Sequence, residues 1–142
     1  MNYWLVKFAP FRNSWQDILK NGKFEIYSVR SAHARNNLKA MTCGDLALFY
    51  HSQAENCVTG IMKVIKEAHQ DPTTDDIRWV SVTFEPVDSF EKPVSLKEIR
   101  TIKALSGIAL IKQPRLAVMP LNKQEFDLLC AFGKTHKYTL RG

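Results

Sequence analysis

The sequence predicts one α+β domain, built on a small twisted sheet or barrel with short helices inserted between the strands. Its 142 residues are the commonest size for a single domain, and 45% of them are hydrophobic, which is enough to form a core. Strand-like and helix-like segments follow one another without the regular spacing of a parallel α/β fold. The chain contains no internal repeat, low-complexity tract or interdomain linker.

Two strands and one helix are predicted before residue 30. Residues 3–8 (YWLVKF) are aromatic and β-branched, which is typical of a buried strand. Ser14 followed by Asp17 three positions later predicts the capped start of a helix, and Gly22 predicts its end. Residues 24–29 (FEIYSV) predict a second, brief strand.

A second helix and a third strand follow. Ala34, Leu38 and Met41 fall at helical spacing within SAHARNNLKAM, and we expect Gly44 to close this helix. Residues 45–52 (DLALFYHS) predict a strong strand with apolar side chains on both faces.

The middle of the chain predicts two further strands around a polar loop. Residues 57–68 (CVTGIMKVIKEA) form the longer strand, in which Gly60 indicates a bulge or a close approach of another group to the backbone. Residues 69–76 (HQDPTTDD) are the polar loop, and the alternating pattern of 78–87 (RWVSVTFEPV) predicts the next strand.

The last third predicts a helix, a broken strand and a final helix. A capping box of Ser and Glu opens the helix at 95–105. Residues 108–120 predict a strand that Pro114 interrupts and Pro120 ends, and Asn122 caps the final helix over KQEFDLLCAF. We therefore expect one domain over 1–133 and a basic, frayed tail over 134–142.

The sequence shows neither a membrane-spanning or secretion signal nor a cysteine pattern typical of disulfides or metal sites. No apolar run approaches the roughly 20 residues that cross a bilayer, and the first residues, MNYWLVKFAP, lack the features of a signal peptide. We expect a cytoplasmic protein, or a nuclear one if its source is eukaryotic, with no membrane partner. The cysteines are odd in number and show no metal-site spacing, so we interpret them as reduced, mostly buried thiols: Cys43, Cys57 and Cys130.

The net charge of +6 is unevenly distributed along the chain. Residues 1–66 carry nine basic against four acidic residues, 67–99 carry three against eight, and 100–142 carry eight against two. If the two basic ends meet in the fold, they form a basic face of the kind that attracts a polyanion. The alternative is that these charges are scattered over solvated faces.

Known catalytic motifs are missing. The chain has no GxGxxG, P-loop, HExxH or GxSxG motif, so nucleotide cofactors, zinc proteolysis and serine hydrolysis lack support. The four histidines have no paired metal spacing. We predict no cofactor, no metal site and no enzymatic activity, and His51 is the only attractive general base.

The polar residues of the second predicted helix suit nucleic acid better than a lipid or an acidic protein. Arg35 and Lys39 can contact phosphates, while Asn36 and Asn37 carry the donor and acceptor pair that suits a base edge. Aromatic rings add stacking surfaces, although large rings such as those of the tryptophans belong more often to a core.

Five segments resemble, in the same order, the hallmarks of the EVE domain family, over about residues 2–132. They are NYWLVK at 2–7, ARNNL at 34–38, GDLALFYHS at 44–52, GIMKVIKEAHQDPT at 60–73 and LAVMP at 116–120. The resemblance implies a PUA-like fold, a twisted β pseudobarrel related to the YTH readers of methylated RNA. It also implies a pocket that accepts a flipped, often modified base.

Matching positions supply the candidate site residues that this resemblance implies. Arg35 and Lys7 would hold phosphate or the base edge, Asn36 and Asn37 would read hydrogen bonds, and Tyr50 would stack with a tryptophan. The complete set of candidates for binding a nucleobase or nucleic acid is Lys7, Trp15, Arg30, Arg35, Asn36, Asn37, Tyr50, His51, Ser52, Trp79 and Arg115.

Two positions depart from the family pattern. Where many members have Lys-Ser-Glu-Pro, this chain places Ala9 at the position of the acid, and Ile26 stands where members have a tryptophan. Phe8 or Tyr27 could replace part of the lost stacking surface. These changes should alter which base edge and substituent the pocket prefers.

The leading hypothesis is a noncatalytic module that binds DNA or RNA and recognises a modified base. One alternative is an RNA-processing or protein-interaction adaptor with a vestigial pocket. Another is an enzyme that acts on nucleotides through His51. The sequence leaves the oligomeric state open.

Overall fold

Six strands form one mixed sheet in the computed structural model, which describes residues 1–53 and 55–135. The strands are β1 (Tyr3–Phe8), β2 (Phe24–Glu25), β3 (Leu46–His51), β4 (Cys57–Gln70), β5 (Val80–Ser95) and β6 (Val118–Leu121). The α-helices are α1 (Trp15–Asn21), α2 (Ala32–Ala40), α3 (Leu96–Arg100), α4 (Ala109–Lys112) and α5 (Lys123–Phe132), and a 3₁₀ turn covers Lys103–Leu105.

The strand order is β2-β5-β4-β3-β1-β6. β1 and β3 lie side by side in parallel, and every other neighbouring pair is antiparallel. Among the described residues β2 and β6 do not pair, so the sheet is not closed into a barrel. This is the predicted α+β architecture of strands with short inserted helices.

The core lies on both faces of β3. All six residues of this strand are buried, because it is flanked by β1 and β4 and covered above and below. On one face the Phe49 ring lies 5.9 Å from Trp15 and 5.5 Å from Phe24, measured between centroids. β3 therefore positions its last residue, His51, and the following Ser52 at the end of a rigid interior.

Local capping signals are confirmed at α1 and α5. The hydroxyl of Ser14 accepts from the Asp17 N–H (3.1 Å), and the Asp17 carboxylate accepts from the Ser14 N–H (3.0 Å). Asn122 and Glu125 form the same reciprocal pair at α5. Gly22 ends α1 in the left-handed conformation, with φ +77°.

Several predicted boundaries are wrong. β2 has only two residues, β4 extends into the predicted loop, and α2 ends at Ala40 rather than at Gly44. α3 stops at Arg100, and only half of its capping box forms, because the Glu98 carboxylate lies 3.6 Å from Lys92 Nζ instead.

The segment around residues 108–120 also differs from its prediction. Ala109–Lys112 form a helical turn, and β6 continues through Pro120. A proline is tolerated there because β6 lies at the edge of the sheet, where a missing N–H removes no necessary ladder bond. β5 is longer than predicted because its second half pairs with the start of β4, as in Val58 with Val94.

Most of the predicted tail lies outside the described residues, which end at Thr135. Thr135 itself is buried, and its N–H donates to the Cys130 carbonyl (3.3 Å). As expected, Cys57 and Cys130 are buried, whereas Cys43 is exposed, and all three are free thiols. No helix in the described part of the chain is long and apolar enough to span a membrane.

As predicted, Gly60 lies at a β-bulge, and another side chain approaches its backbone closely. The register between β3 and β4 shifts at this point, and a Cβ built on Gly60 would overlap the indole ring of Trp15. The ring therefore packs directly on the β4 backbone, and its Nε1 donates to the Ser89 hydroxyl (2.9 Å).

We expect Gly60→Ala to lower the free energy of unfolding by about 1–3 kcal/mol, because the added methyl must displace a buried indole. Urea denaturation measures the change. Gly107→Ala is the matched control, since a Cβ there meets nothing within 4 Å. Equal stability of the two variants would contradict the packing of Trp15 on Gly60.

Candidate functional site

A cavity of about 440 Å³ opens where β1 and β3 end. We call it the Lys7 cavity. Its lining is mainly polar and cationic, and consists of Lys7, Phe8, Ala9, Arg12, Ser52, Gln53, Asn56, Pro114, Arg115 and Ala117.

The parallel pairing of β1 and β3 creates this cavity. Phe8 is in register with His51, so both strands leave the sheet at the same edge. The Ser52 N–H donates to the Phe8 carbonyl (3.0 Å), which holds the two strand ends together. On the opposite wall, the Lys7 N–H donates to the Ala117 carbonyl (2.8 Å), and Lys7 Nζ donates to the Pro114 carbonyl (2.6 Å).

The cavity attracts anions. Lys7, Arg12 and Arg115 contribute cations, and none of the described lining residues is acidic. Arg12 and Arg115 are exposed, whereas Lys7 is half-buried, and this burial lowers the pKa of Lys7. A site with this charge favours phosphate or an electron-rich base edge.

Phe8 and Tyr27, the rings expected to replace the missing family tryptophan, both stack on Arg12. The Arg12 guanidinium carbon lies 4.3 Å from the Phe8 ring centroid and 4.8 Å from that of Tyr27. The guanidinium also donates to the Tyr27 carbonyl (3.2 Å). Ala9 lies in the cavity wall, while Ile26 is fully buried in the core.

The rim of the cavity contains unusual backbone. Gln53 and Asn56 have φ values of +70° and +51°, in the left-handed region. Asparagine tolerates this region well, but glutamine adopts it rarely. Asn56 Nδ2 donates to the Gln53 carbonyl (3.0 Å), so a side chain stabilises the turn.

A second cavity, of about 410 Å³, lies beside the first. Ser31 and His33 at the start of α2 form one side, and Gln113–Leu116 form the other. The two cavities share Pro114 and Arg115, so the exposed Arg115 side chain stands on the ridge between them.

Three arginines surround the indole of Trp79, which lines neither cavity. The guanidinium carbons of Arg30, Arg35 and Arg78 lie 5.6, 5.6 and 5.4 Å from the centroid of Trp79. We call these four residues the Trp79 cluster. Arg30 pairs with Asp71 (3.0 Å) and Arg78 with Asp76 (2.7 Å), but Arg35 pairs only with the Asn36 amide oxygen (3.2 Å) among the described residues.

Asp71 anchors this cluster. Its buried carboxylate accepts from the Ser28 N–H (2.8 Å), from Arg30 (3.0 Å), and from the N–H and hydroxyl of Thr73 (2.7 and 2.6 Å). Burial alone would raise the pKa of Asp71, but these hydrogen bonds outweigh it and lower the pKa to about 2.

Four predicted site residues have internal roles. Asn37 Nδ2 donates to the Val118 carbonyl (2.7 Å), which ties α2 to β6. Tyr50 is 1% exposed, and burial raises its pKa to about 12. Trp15 packs on Gly60, and His51 is buried beneath α1.

His51 has no free ring nitrogen. The backbone N–H of Trp15 donates to His51 Nε2 (2.9 Å), so Nε2 is the acceptor of the ring. The ring hydrogen is therefore on Nδ1, which donates to Glu55 (2.9 Å). Cys57 lies near the same carboxylate, so the three side chains resemble a metal site in their spacing. Nδ1 offers no lone pair in this arrangement, however, and burial raises the pKa of Cys57 to about 11, which disfavours the thiolate that a metal requires.

The predicted site residues therefore fall into two groups. Lys7, Ser52 and Arg115 line the Lys7 cavity, whereas Arg30, Arg35 and Trp79 form the second cluster with the exposed Asn36 beside them. A single pocket lined by Arg35, Asn36 and Tyr50 does not form, because Tyr50 points into the core. The sequence prediction missed three polar cavity residues, Arg12, Gln53 and Asn56, although each lies within five positions of Lys7 or Ser52.

The chain is similar to proteins of one family over almost its whole length. The model of the EVE domain matches residues 2–132. Mouse thymocyte nuclear protein 1 is 32% identical over 94% of this chain and 74% of its own length. A crystal structure of an Agrobacterium tumefaciens protein superposes with a TM-score of 0.91 at 37% identity, covering 94% of this chain and 93% of that one.

The crystal structure of human THYN1 protein in complex with DNA containing 5-methylcytosine is also similar. Its TM-score is 0.85 at 25% identity, over 96% of this chain and 99% of the human one. Together these matches confirm the expected PUA-like fold.

The depressed pKa of Asp71 predicts a loss of stability in acid. Its unfolded pKa is near 3.9, so its stabilisation is fully present above that pH and is lost as the pH falls through about 2. Asp71→Asn should lower the free energy of unfolding at neutral pH by about 1–3 kcal/mol. It should also flatten the dependence of stability on pH between about 4 and 2.

Urea denaturation at a series of pH values tests this expectation. Asp75→Asn is the matched control, since Asp75 is an exposed acid in the same loop. An Asp71→Asn variant with the pH dependence of the unmodified chain would show that other carboxylates cause the acid sensitivity.

Proposed function

This chain belongs to the EVE domain family, and we propose that residues 1–133 are one noncatalytic domain that takes a modified nucleobase into the Lys7 cavity. The observation that carries the proposal is the lining of this cavity, where three cations meet amide and hydroxyl groups without a carboxylate among the described residues. The human relative in complex with DNA containing 5-methylcytosine supports the same ligand class.

The chemistry of the cavity suits a base with its flanking phosphates. Ser52, Gln53 and Asn56 offer donors and acceptors for a base edge, and Arg115 can reach a phosphate from the ridge. The volume of about 440 Å³ lies within the usual range of about 300–1,000 Å³ for ligand pockets. Arg12 covers the Phe8 and Tyr27 rings, so stacking in this chain would involve a guanidinium plane as well as an aromatic one.

The Trp79 cluster supports a second contact, with the nucleic-acid backbone. Arg35 is the cation of this cluster that no described carboxylate neutralises. Its position on Trp79 fixes the guanidinium at the surface, where Arg30 and Asn36 lie beside it. In this proposal the cavity reads the base, and the cluster contributes affinity without sequence preference.

The hydrogen bonds of His51 support binding without catalysis. A general base needs an accessible lone pair, and His51 uses Nε2 for the Trp15 N–H and Nδ1 for Glu55. The side chain is also only 7% exposed. These contacts give His51 a role in holding α1 against the end of β3.

Binding to a panel of short DNA and RNA duplexes and single strands tests the proposal. Fluorescence anisotropy at two salt concentrations would compare cytosine with 5-methylcytosine in otherwise identical sequences. We expect the modified base to raise affinity at least about tenfold, or about 1.4 kcal/mol. Equal affinity for every base and modification would leave only electrostatic attachment and would contradict base recognition.

Two variants and a control separate contacts to the base from contacts to the phosphates. Ser52→Ala should reduce the discrimination between the bases, because it removes a cavity hydroxyl and keeps the backbone bond to Phe8. Arg115→Ala should weaken binding to all sequences and reduce the salt slope by about 1. Lys112→Ala is the control, since Lys112 is exposed nearby but does not line either cavity.

A further inference from the structure

The turn between β1 and α1 presents an exposed phenylalanine at the rim of the Lys7 cavity. Phe11 is 76% exposed, and the next most exposed phenylalanine among the described residues, Phe132, is 39% exposed. Ala9 and Arg12, on either side of the Pro10–Phe11 pair, both line the cavity. Phe11 therefore lies next to the proposed base site without forming part of its wall.

Hydrogen bonds and a proline fix the backbone of the turn at Phe11. The Arg12 and Asn13 N–H groups both donate to the Ala9 carbonyl (2.9 and 3.2 Å), and Pro10 restricts φ at the first turn position. Arg12 is secured in turn by stacking on Phe8 and Tyr27. A rigid turn keeps a large apolar side chain in water, where it contributes nothing to the core.

The identity of its neighbours indicates what Phe11 contacts. An apolar protein partner would require a broad exposed apolar patch. The cavity beside the turn instead contains the cations Lys7 and Arg12 and the polar Ser52, and the polar Asn13 follows in the chain. A single apolar side chain among cations fits the base stack of a duplex, where phosphates surround an apolar interior.

We infer that Phe11 is a wedge that enters the stack of duplex DNA when the modified base leaves it for the Lys7 cavity. The inference rests on the proposed function and extends it to the form of the substrate. A base that moves out of a duplex leaves a gap, and unstacking its neighbours costs a few kcal/mol. The Phe11 ring fills that gap from the same side as the cavity.

Phe11→Ala tests the wedge. We expect the variant to bind a 5-methylcytosine duplex about tenfold more weakly, in line with the loss of one stacking contact. Its affinity for the same base in a single strand should change less than about twofold, because no duplex has to be opened. Ile77→Ala is the matched control, since Ile77 is 86% exposed on the loop between β4 and β5 and lines neither cavity.

A fluorescent base analogue, 2-aminopurine, placed next to the modified base reports unstacking directly. The unmodified chain and Phe11→Trp should alter its fluorescence on binding, whereas Phe11→Ala at saturating concentration should leave it near the value of the free duplex. An equal signal and equal duplex affinity for Phe11→Ala would overturn the wedge. An equal loss on single and double strands would also overturn it, by showing a general contact.

The failure of the wedge differs from the failure of the proposed function. The proposed function is judged from the unmodified chain alone, by its preference for the modified base in either strand form. The wedge is judged from Phe11→Ala against the unmodified chain on duplex DNA. An unmodified chain that prefers the modified base only in single strands would support the cavity and overturn the wedge.

Discussion

The parallel pairing of β1 with β3 is the constraint on which the rest of the structure depends. Two parallel strands cannot be joined by a tight turn, so the chain must cross over between them. That crossover contains α1, β2 and α2, and with them Arg12, Arg30 and Arg35. The same pairing brings the ends of both strands to one edge, where Lys7 and Ser52 meet.

Two buried carboxylates hold the loops that this arrangement creates. Asp45 accepts from the Asn2 N–H, the Trp4 indole, and the N–H and hydroxyl of Thr42, so it fixes the start of β1 beside the turn before β3. Asp71 accepts from Ser28, Arg30 and Thr73, so it ties the segment before α2 to the loop after β4. Each charge is stabilised by four donors, which is what a buried carboxylate requires.

Much of the fold could be predicted, but the candidate site only in part. Alternation, helical spacing and capping pairs located the strands and helices because these signals act between residues a few positions apart. The length of β5 and the continuation of β6 through Pro120 were missed, because they depend on which strands become neighbours. Tyr50 and His51 suit ligand binding by residue type, but burial on both faces of β3 removes both side chains from the surface, and His51 has internal hydrogen-bond partners.

The sequence by itself determined the family, the α+β class, the helix caps and the supply of cations, amides and aromatic rings. These follow from local patterns and residue types. Only the tertiary structure decided that Lys7 shares a cavity with Arg115, 108 positions later, while Arg35 lies on Trp79 in a separate cluster. The physical reason is that a shared surface depends on strand register and on which side chains the core removes from water, and neither is fixed by neighbours along the chain.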